Sequence, residues 1–184
     1  YWLQNQLGMS RDEIKQNIDI IYQGAAQVQQ ALMTEAVDGA AILEPVVSII
    51  RDRKSDAKVV ASGSGMFPNQ PGAVLVVRES LINEHPELVK ALVKAHIAAT
   101  DQLRNDPEKS LKSVGKYVGG GRLPEKIVLN ALKNSHNQFQ ADPNAIIDGT
   151  RIMHDFQASQ GTLKVKVDLE ALFDIRFYND LVKE

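Results

Sequence analysis

The hydrophobic pattern changes near residue 80, and this change constrains the fold more than any other feature of the sequence. Before it, short apolar runs of strand length lie at 18–22, 38–43, 57–61 and 73–77, and a helical stretch follows each of the first two. Alternating strands and helices are typical of an open α/β sheet. After residue 80, only helical periodicity remains. The sequence therefore predicts an α/β fold with a helical C-terminal half.

The composition is that of a folded globular chain. Its 184 residues are 43% hydrophobic and 24% charged, which places them outside the disordered and membrane-spanning classes. A net charge of −2 and an aromatic content of 5% predict no nucleic-acid partner. Because cysteine is absent, disulfides, thiol catalysis, zinc fingers and iron–sulfur clusters are excluded.

The histidines do not share the spacing of a metal-binding pair. They are His85, His96, His136 and His154. His96 lies on an apolar stripe, four residues after Leu92, and is interpreted as a half-buried packing residue. His85 precedes Pro86 and is interpreted as part of a turn. We therefore predict no metal site, no cofactor and no catalytic residues.

Glycine and serine mark the loops. Segment 62–72 begins Ser-Gly-Ser-Gly, which lacks the spacing of a nucleophile elbow. Two interpretations stay open for it: a flexible loop, or one whose small residues let backbone amides approach an anion. The glycines at 119–121 are interpreted as a helix end. Ser10 and Glu13 have the spacing of a capping box, but the segment after them looks extended, so we interpret them as a turn.

Glu44 is the most informative polar residue. It ends the apolar run at 38–43 and precedes Pro45, which suits the start of a helix. It is either a favourable charge at a helix N-terminus or a ligand-binding carboxylate at the carboxyl edge of the sheet. Gly24 and Ala25 lie at a similar junction, where free backbone N–H groups are able to hold a carboxylate or sulfonate.

Three stretches of the chain follow one another in a recognisable order. They are Gln30–Pro45 (QALMTEAVDGAAILEP), the strand-like AVLVVR at 73–78 followed by NEHPELVKAL at 83–92, and the tail from Ile146 through Gly161 to Phe173. Together they resemble the nitrate/sulfonate/taurine-type periplasmic solute-binding proteins of ABC importers. In the first stretch, Ala36 stands where that family usually has glycine, and Gly39 where it usually has alanine.

The resemblance implies a type II periplasmic-binding-protein-like fold, in which two α/β lobes joined by crossing strands close on a small solute. Residues 1–72 would be a partial second lobe. Residues 73–184 would supply a crossover strand and the C-terminal helices that complete the first lobe. The resemblance also implies that the family's N-terminal portion, with several ligand contacts, is missing from this chain.

The resemblance also implies a ligand site and places five residues in it. By position, Gly24, Ala25 and Glu44 would face the ligand, joined by Ser64 and Met66 from the following loop. The ligand would be a small anionic or zwitterionic solute of the nitrate, sulfonate or taurine kind. The partner would be the membrane permease of the importer. The location would be periplasmic, or extracellular with a lipid anchor.

Two other functions stay open for a chain with this resemblance. One is the ligand-sensing domain of a transcription regulator, which shares the two-lobe architecture. The other is an enzyme like the thiamine-pyrimidine synthases, which resemble this family. Those enzymes rely on a cysteine-rich motif, and this chain has no cysteine.

Overall fold

The computed structural model describes residues 1–165 and 167–183, with the backbone alone at His136. The fold is 62% helical, and no strand is found among the described residues. The helices are α1 (Trp2–Asn5), α2 (Arg11–Asn17), α3 (Ala25–Met33), α4 (Val46–Arg53), α5 (Gly63–Met66), α6 (Glu79–Glu84), α7 (Pro86–Asn105), α8 (Pro107–Tyr117), α9 (Glu125–Ser135), α10 (Asn144–Ser159), α11 (Leu169–Leu172) and α12 (Arg176–Leu181). Two 3₁₀ turns follow α8 and α9 directly.

The prediction of an α/β fold of the type II periplasmic-binding-protein kind is wrong, although the helical C-terminal half fits. In the described part of the chain, no ladder hydrogen bond joins the runs at 18–22, 38–43, 57–61 and 73–77. A strand exists only through pairing with a neighbour, which an apolar run does not supply by itself. Many of the apolar side chains in these runs therefore stay in solvent, where Tyr22 is 93% and Val60 88% exposed.

The helices that the sequence predicts are present close to their predicted starts. Proline at the first helical turn costs no hydrogen bond and presets the backbone angle, so it marks a helix start reliably. Helices α7 and α8 begin at Pro86 and Pro107, and Asp106 caps α8 by accepting from the backbone N–H of Lys109 at 3.0 Å. Proline also stands directly before α4, α9 and α10, whereas α3 begins after Gly24.

Helix α2 forms where the sequence is interpreted as a turn. The capping box is complete, because the hydroxyl of Ser10 accepts from the backbone N–H of Glu13 at 3.2 Å and Glu13 Oε2 accepts from the backbone N–H of Ser10 at 2.8 Å. These two bonds satisfy amides that the first turn of a helix leaves unpaired. The capping box therefore starts a short helix ahead of an extended segment.

Replacing the cap tests this account of α2. Ser10→Ala should lower the free energy of unfolding by about 1 kcal/mol, the usual cost of losing a serine N-cap. Ser113→Ala, in the exposed interior of α8, is the control and should change stability little. Urea unfolding followed by circular dichroism measures both variants, and equal effects at the two serines would contradict a capping role.

The cap also predicts a dependence on pH. Hydrogen bonds from the Ser10 backbone N–H and hydroxyl hold the pKa of Glu13 below its usual value of 4.5. A carboxyl group whose pKa is lowered by folding stabilises the fold above its ordinary pKa, and that contribution is lost as the pH falls through the lowered pKa. The stability difference between the native chain and Ser10→Ala should therefore shrink in acid.

The chain divides into two compact units. Unit 1 comprises residues 1–2, 61–101 and those from Phe139 onward, and unit 2 comprises residues 3–60 and 102–138. In unit 2, helix α9 packs against both α4 and α8, and α3 packs against α4. The buried apolar residues on these helices are Ala31 on α3, Ile50 on α4, and Ile127, Val128 and Leu132 on α9. Their spacing on α9 gives that helix one apolar face.

Unit 1 has an aromatic cluster and a close approach between backbones. The ring of Tyr1 meets Phe67 and Phe156 edge-on, with centroid distances of 4.7 and 5.2 Å. Gly149 of α10 is buried against the backbone of Asn69, where a Cβ atom would lie 2.4 Å from the carbonyl oxygen. Only glycine fits this contact without a shift of the backbone.

Candidate functional site

Glu44 is held in place at the start of α4 by two polar groups. Its Oε2 accepts a hydrogen bond from the backbone N–H of Ser48 at 3.0 Å, and its Oε1 accepts one from Asn134 Nδ2 on α9, also at 3.0 Å. The same Nδ2 of Asn134 donates to the hydroxyl of Ser48 at 3.3 Å. Glu44 therefore satisfies an unpaired amide of the first turn of α4 and ties that helix end to α9.

A polar cleft with a volume of about 330 Å³ lies between α4 and α9 beside this network. It is lined by Ser48, Arg51, Asp52, Lys126, Asn130 and Asn134. The lining residues of α9 recur every four positions, which places them on one face of that helix. An ion pair crosses the cleft, with Lys126 Nζ 2.7 Å from Asp52 Oδ1. Charged and amide groups of this kind are able to hold a small polar solute through hydrogen bonds.

Gly24 and Ala25 lie at the start of α3, as the sequence predicts. Gly24 is the N-cap residue and makes no side-chain cap, and both residues are exposed. The side-chain amide of Gln27 covers the Cα of Gly24, since a Cβ there would lie 2.7 Å from Gln27 Oε1. The two residues share unit 2 with Glu44. They do not line the polar cleft.

Ser64 and Met66 lie in unit 1, on the single turn of α5. Ser62 caps this turn by accepting from the backbone N–H of Gly65 at 3.0 Å, and the hydroxyls of Ser62 and Ser64 lie 3.2 Å apart. Met66 is half-buried next to the buried Phe67. The five predicted ligand residues thus fall in both units, and their role in binding stays a prediction.

The sequence does not reveal the partners of Glu44. Asn134 stands 90 residues further along the chain, and nothing in the sequence shows that α9 packs on α4. The available signal is the polar set Lys126, Asn130 and Asn134 at four-residue intervals, beside the apolar face of the same helix. That signal indicates that one face of α9 is polar, but it does not show which helix packs beside that face.

A second concavity, of about 210 Å³, lies within unit 1 and is mostly apolar. His154 lines it, with Nδ1 3.0 Å from Asp155 Oδ1. Its Nε2 is buried and has no hydrogen-bond partner among the residues that the structure describes. Within the described residues, no three His, Cys, Asp or Glu side chains are grouped so that they would hold a metal ion. The same part of the chain has no helix with the length and apolar character needed to cross a membrane.

Comparison with known proteins gives one family and several relatives. The NMT1-like family matches residues 1–115, a stretch that includes all five predicted ligand residues and α4 but not α9. A Bacillus subtilis protein provisionally named an aliphatic sulfonates-binding protein is 24% identical over 168 residues, which are 91% of this chain and 49% of that relative.

Relatives in Brucella abortus and Brucella suis are provisionally named binding proteins, with no solute given. Each is 26% identical over 113 residues, which are 60% of this chain and 34% of the relative. The chain thus spans between about a third and a half of the length of these curated relatives. No solved structure shows significant similarity to the chain. These matches confirm the resemblance to solute-binding proteins inferred from the sequence.

Proposed function

Because the chain belongs to the NMT1-like family, we propose that it is part of the solute-binding component of an ABC import system. The family and the names of the relatives support a solute-binding role. The observation that carries the proposal is the match to the Bacillus subtilis aliphatic sulfonates-binding relative, which spans 91% of this chain.

The solute that we propose is a small anion or zwitterion with a sulfonate, nitrate or similar head group. The chemistry that supports this choice is a supply of hydrogen-bond donors in unit 2, on the side chains of the polar cleft and on the backbone at the start of α3. Capture and release require no bond to be made or broken. We therefore propose a binding protein and not an enzyme.

This function also assigns a location and a partner. A binding component that serves an importer works outside the cytoplasmic membrane, so we propose a periplasmic protein or an extracellular one with a lipid anchor. The loaded protein would deliver its solute to a membrane permease. The names of the relatives indicate a binding role, and the location and the permease partner are inferred from that role.

Ligand-observed NMR on the 184-residue chain tests the proposed function. The probes are methanesulfonate and 2-aminoethanesulfonate, observed by saturation transfer to their C–H protons, and nitrate, which has no hydrogen and is observed by broadening of its ¹⁵N signal. Dimethyl sulfone serves as the uncharged control for methanesulfonate. We expect binding of at least one anion by these readouts, no transfer to the sulfone, and unchanged solute signals after prolonged incubation. Binding of none of the anions, or conversion of a solute, would overturn the proposal.

A further inference from the structure

Contacts between side chains join the two walls of the polar cleft of unit 2 at two places. At one place, Glu44, Ser48 and Asn134 bond to one another, and at the other, Lys126 pairs with Asp52. These contacts join α4 to α9 and engage the polar groups that form them. The side chains in the middle of the cleft take no part in these contacts.

Arg51 and Asn130 line that middle. Asn130 lies one helical turn from Lys126 and one turn from Asn134 on α9, and Arg51 lies in the turn of α4 between Ser48 and Asp52. Within residues 1–165 and 167–183, neither side chain has a hydrogen-bond or ion-pair partner. A guanidinium group and a side-chain amide thus line the cleft with donors that no partner among the described residues occupies.

The charges in the cleft favour an anion beside Arg51. The positive charge of Lys126 is matched by Asp52 at 2.7 Å, whereas no carboxylate of the described residues pairs with Arg51. The carboxylate of Glu44 lies 3.0 Å from the backbone nitrogen of Ser48 and already accepts hydrogen bonds from that N–H and from Asn134 Nδ2. The carboxylates of Glu44 and Asp52 are thus both engaged by other donors.

We propose that the polar cleft binds a small oxyanion, held by two N–H groups of the Arg51 guanidinium and by the amide N–H of Asn130. A planar guanidinium matches two oxygens on one sulfur, phosphorus or carbon atom, and the amide supplies a third donor. The volume of about 330 Å³ falls in the range of small-molecule sites and leaves room for a short organic group on the anion. The inference rests on the proposed function in that the oxyanion is the head group of the captured solute.

Inorganic sulfate alone is the probe for this site. Amide chemical shifts of the 184-residue chain are followed during a sulfate titration at constant ionic strength with chloride as the balancing anion. We expect saturable shifts at 48–52 and 126–134 in the native chain. Arg51→Gln should weaken sulfate binding at least tenfold, and Asn130→Ala should weaken it severalfold.

Arg53→Gln is the matched control, because it removes the same charge from the same helix at an exposed residue that does not line the cleft. It should keep the native affinity for sulfate. If both arginine variants weaken sulfate binding equally, general attraction by positive charge explains the binding, and the inference is overturned. Failure of the native chain to bind sulfate, or shifts that fall outside the cleft, would overturn it as well.

The outcomes for sulfate and for organic solutes are separable. If methanesulfonate binds the native chain and Arg51→Gln equally, the assigned site is wrong while the proposed function stands. If sulfate binds as described but none of the organic solutes or nitrate does, the cleft is an oxyanion site and the proposed function fails. Unchanged thermal unfolding of all three variants shows that the fold is intact in each comparison.

Discussion

Ile50→Ala should lower the free energy of unfolding of unit 2 by about 3 kcal/mol, within the range measured for truncating large buried aliphatic side chains. Ile50 is 2% exposed on α4, which packs against α3 and α9. Removing three carbon atoms there leaves a cavity between helices that are also tied by the Glu44 network. The loss therefore combines the lost hydrophobic transfer with the cavity.

Urea unfolding followed by circular dichroism measures the effect of this substitution. Ile20→Ala is the control, because Ile20 is 55% exposed in an extended segment of the same unit, and its loss should change stability by less than about 0.5 kcal/mol. A similar small change at both positions would show that Ile50 is not in the core of unit 2.

Gly149→Ala should destabilise unit 1 by about 1–3 kcal/mol, the usual cost of forcing an atom into a filled site. The added Cβ would lie 2.4 Å from the carbonyl oxygen and 2.8 Å from the carbonyl carbon of Asn69. Both of these are backbone atoms, so the clash is relieved only by moving α10 or the chain around Asn69.

Gly115→Ala makes the same chemical change without the clash. Gly115 lies within α8, where a new Cβ would have no atom of the described residues within 4 Å apart from its chain neighbours and the nearby backbone of the same helix. Replacing glycine by alanine in a helix usually stabilises it by about 0.5–1 kcal/mol. The two variants should therefore move the thermal midpoint in opposite directions. A stabilised Gly149→Ala would contradict the close approach of α10 to Asn69.

The helices could be predicted from local signals and the absence of strands could not. Pro86 and Pro107 mark helix starts through their own geometry, so a single sequence is enough to find α7 and α8. The alternating apolar residues at 18–22 are compatible with a strand, but a strand also needs a neighbouring chain in register. Pairing of this kind depends on the tertiary structure, and the described residues form no paired strands.

The candidate site was predictable only in part, for a similar reason. The charge and position of Glu44 single it out in the sequence, and its place at a helix N-terminus follows from Pro45. Its bond to Asn134 joins residues 90 positions apart and follows from the packing of α9 on α4. Arg51 and Asn130 line the polar cleft because α9 packs on α4, and no local sequence pattern predicts that packing.

The family, in contrast, was recognisable from short motifs. The stretch from Gln30 to Pro45 and the stretch at 83–92 both lie within the residues 1–115 that match the NMT1-like family. Recognition of this kind depends on the order of residues along the chain and not on their packing. It therefore succeeded where the prediction of strands failed.

The proposed binding of a small anionic solute without chemical change is tested by mapping amide chemical shifts during a methanesulfonate titration. We expect saturable shifts clustered at 44–53 and 126–134, a dissociation constant of about 1 mM (about −4 kcal/mol), and full recovery of the solute. Shifts absent at saturating concentration, spread evenly over both units, or accompanied by consumption of the solute would contradict it.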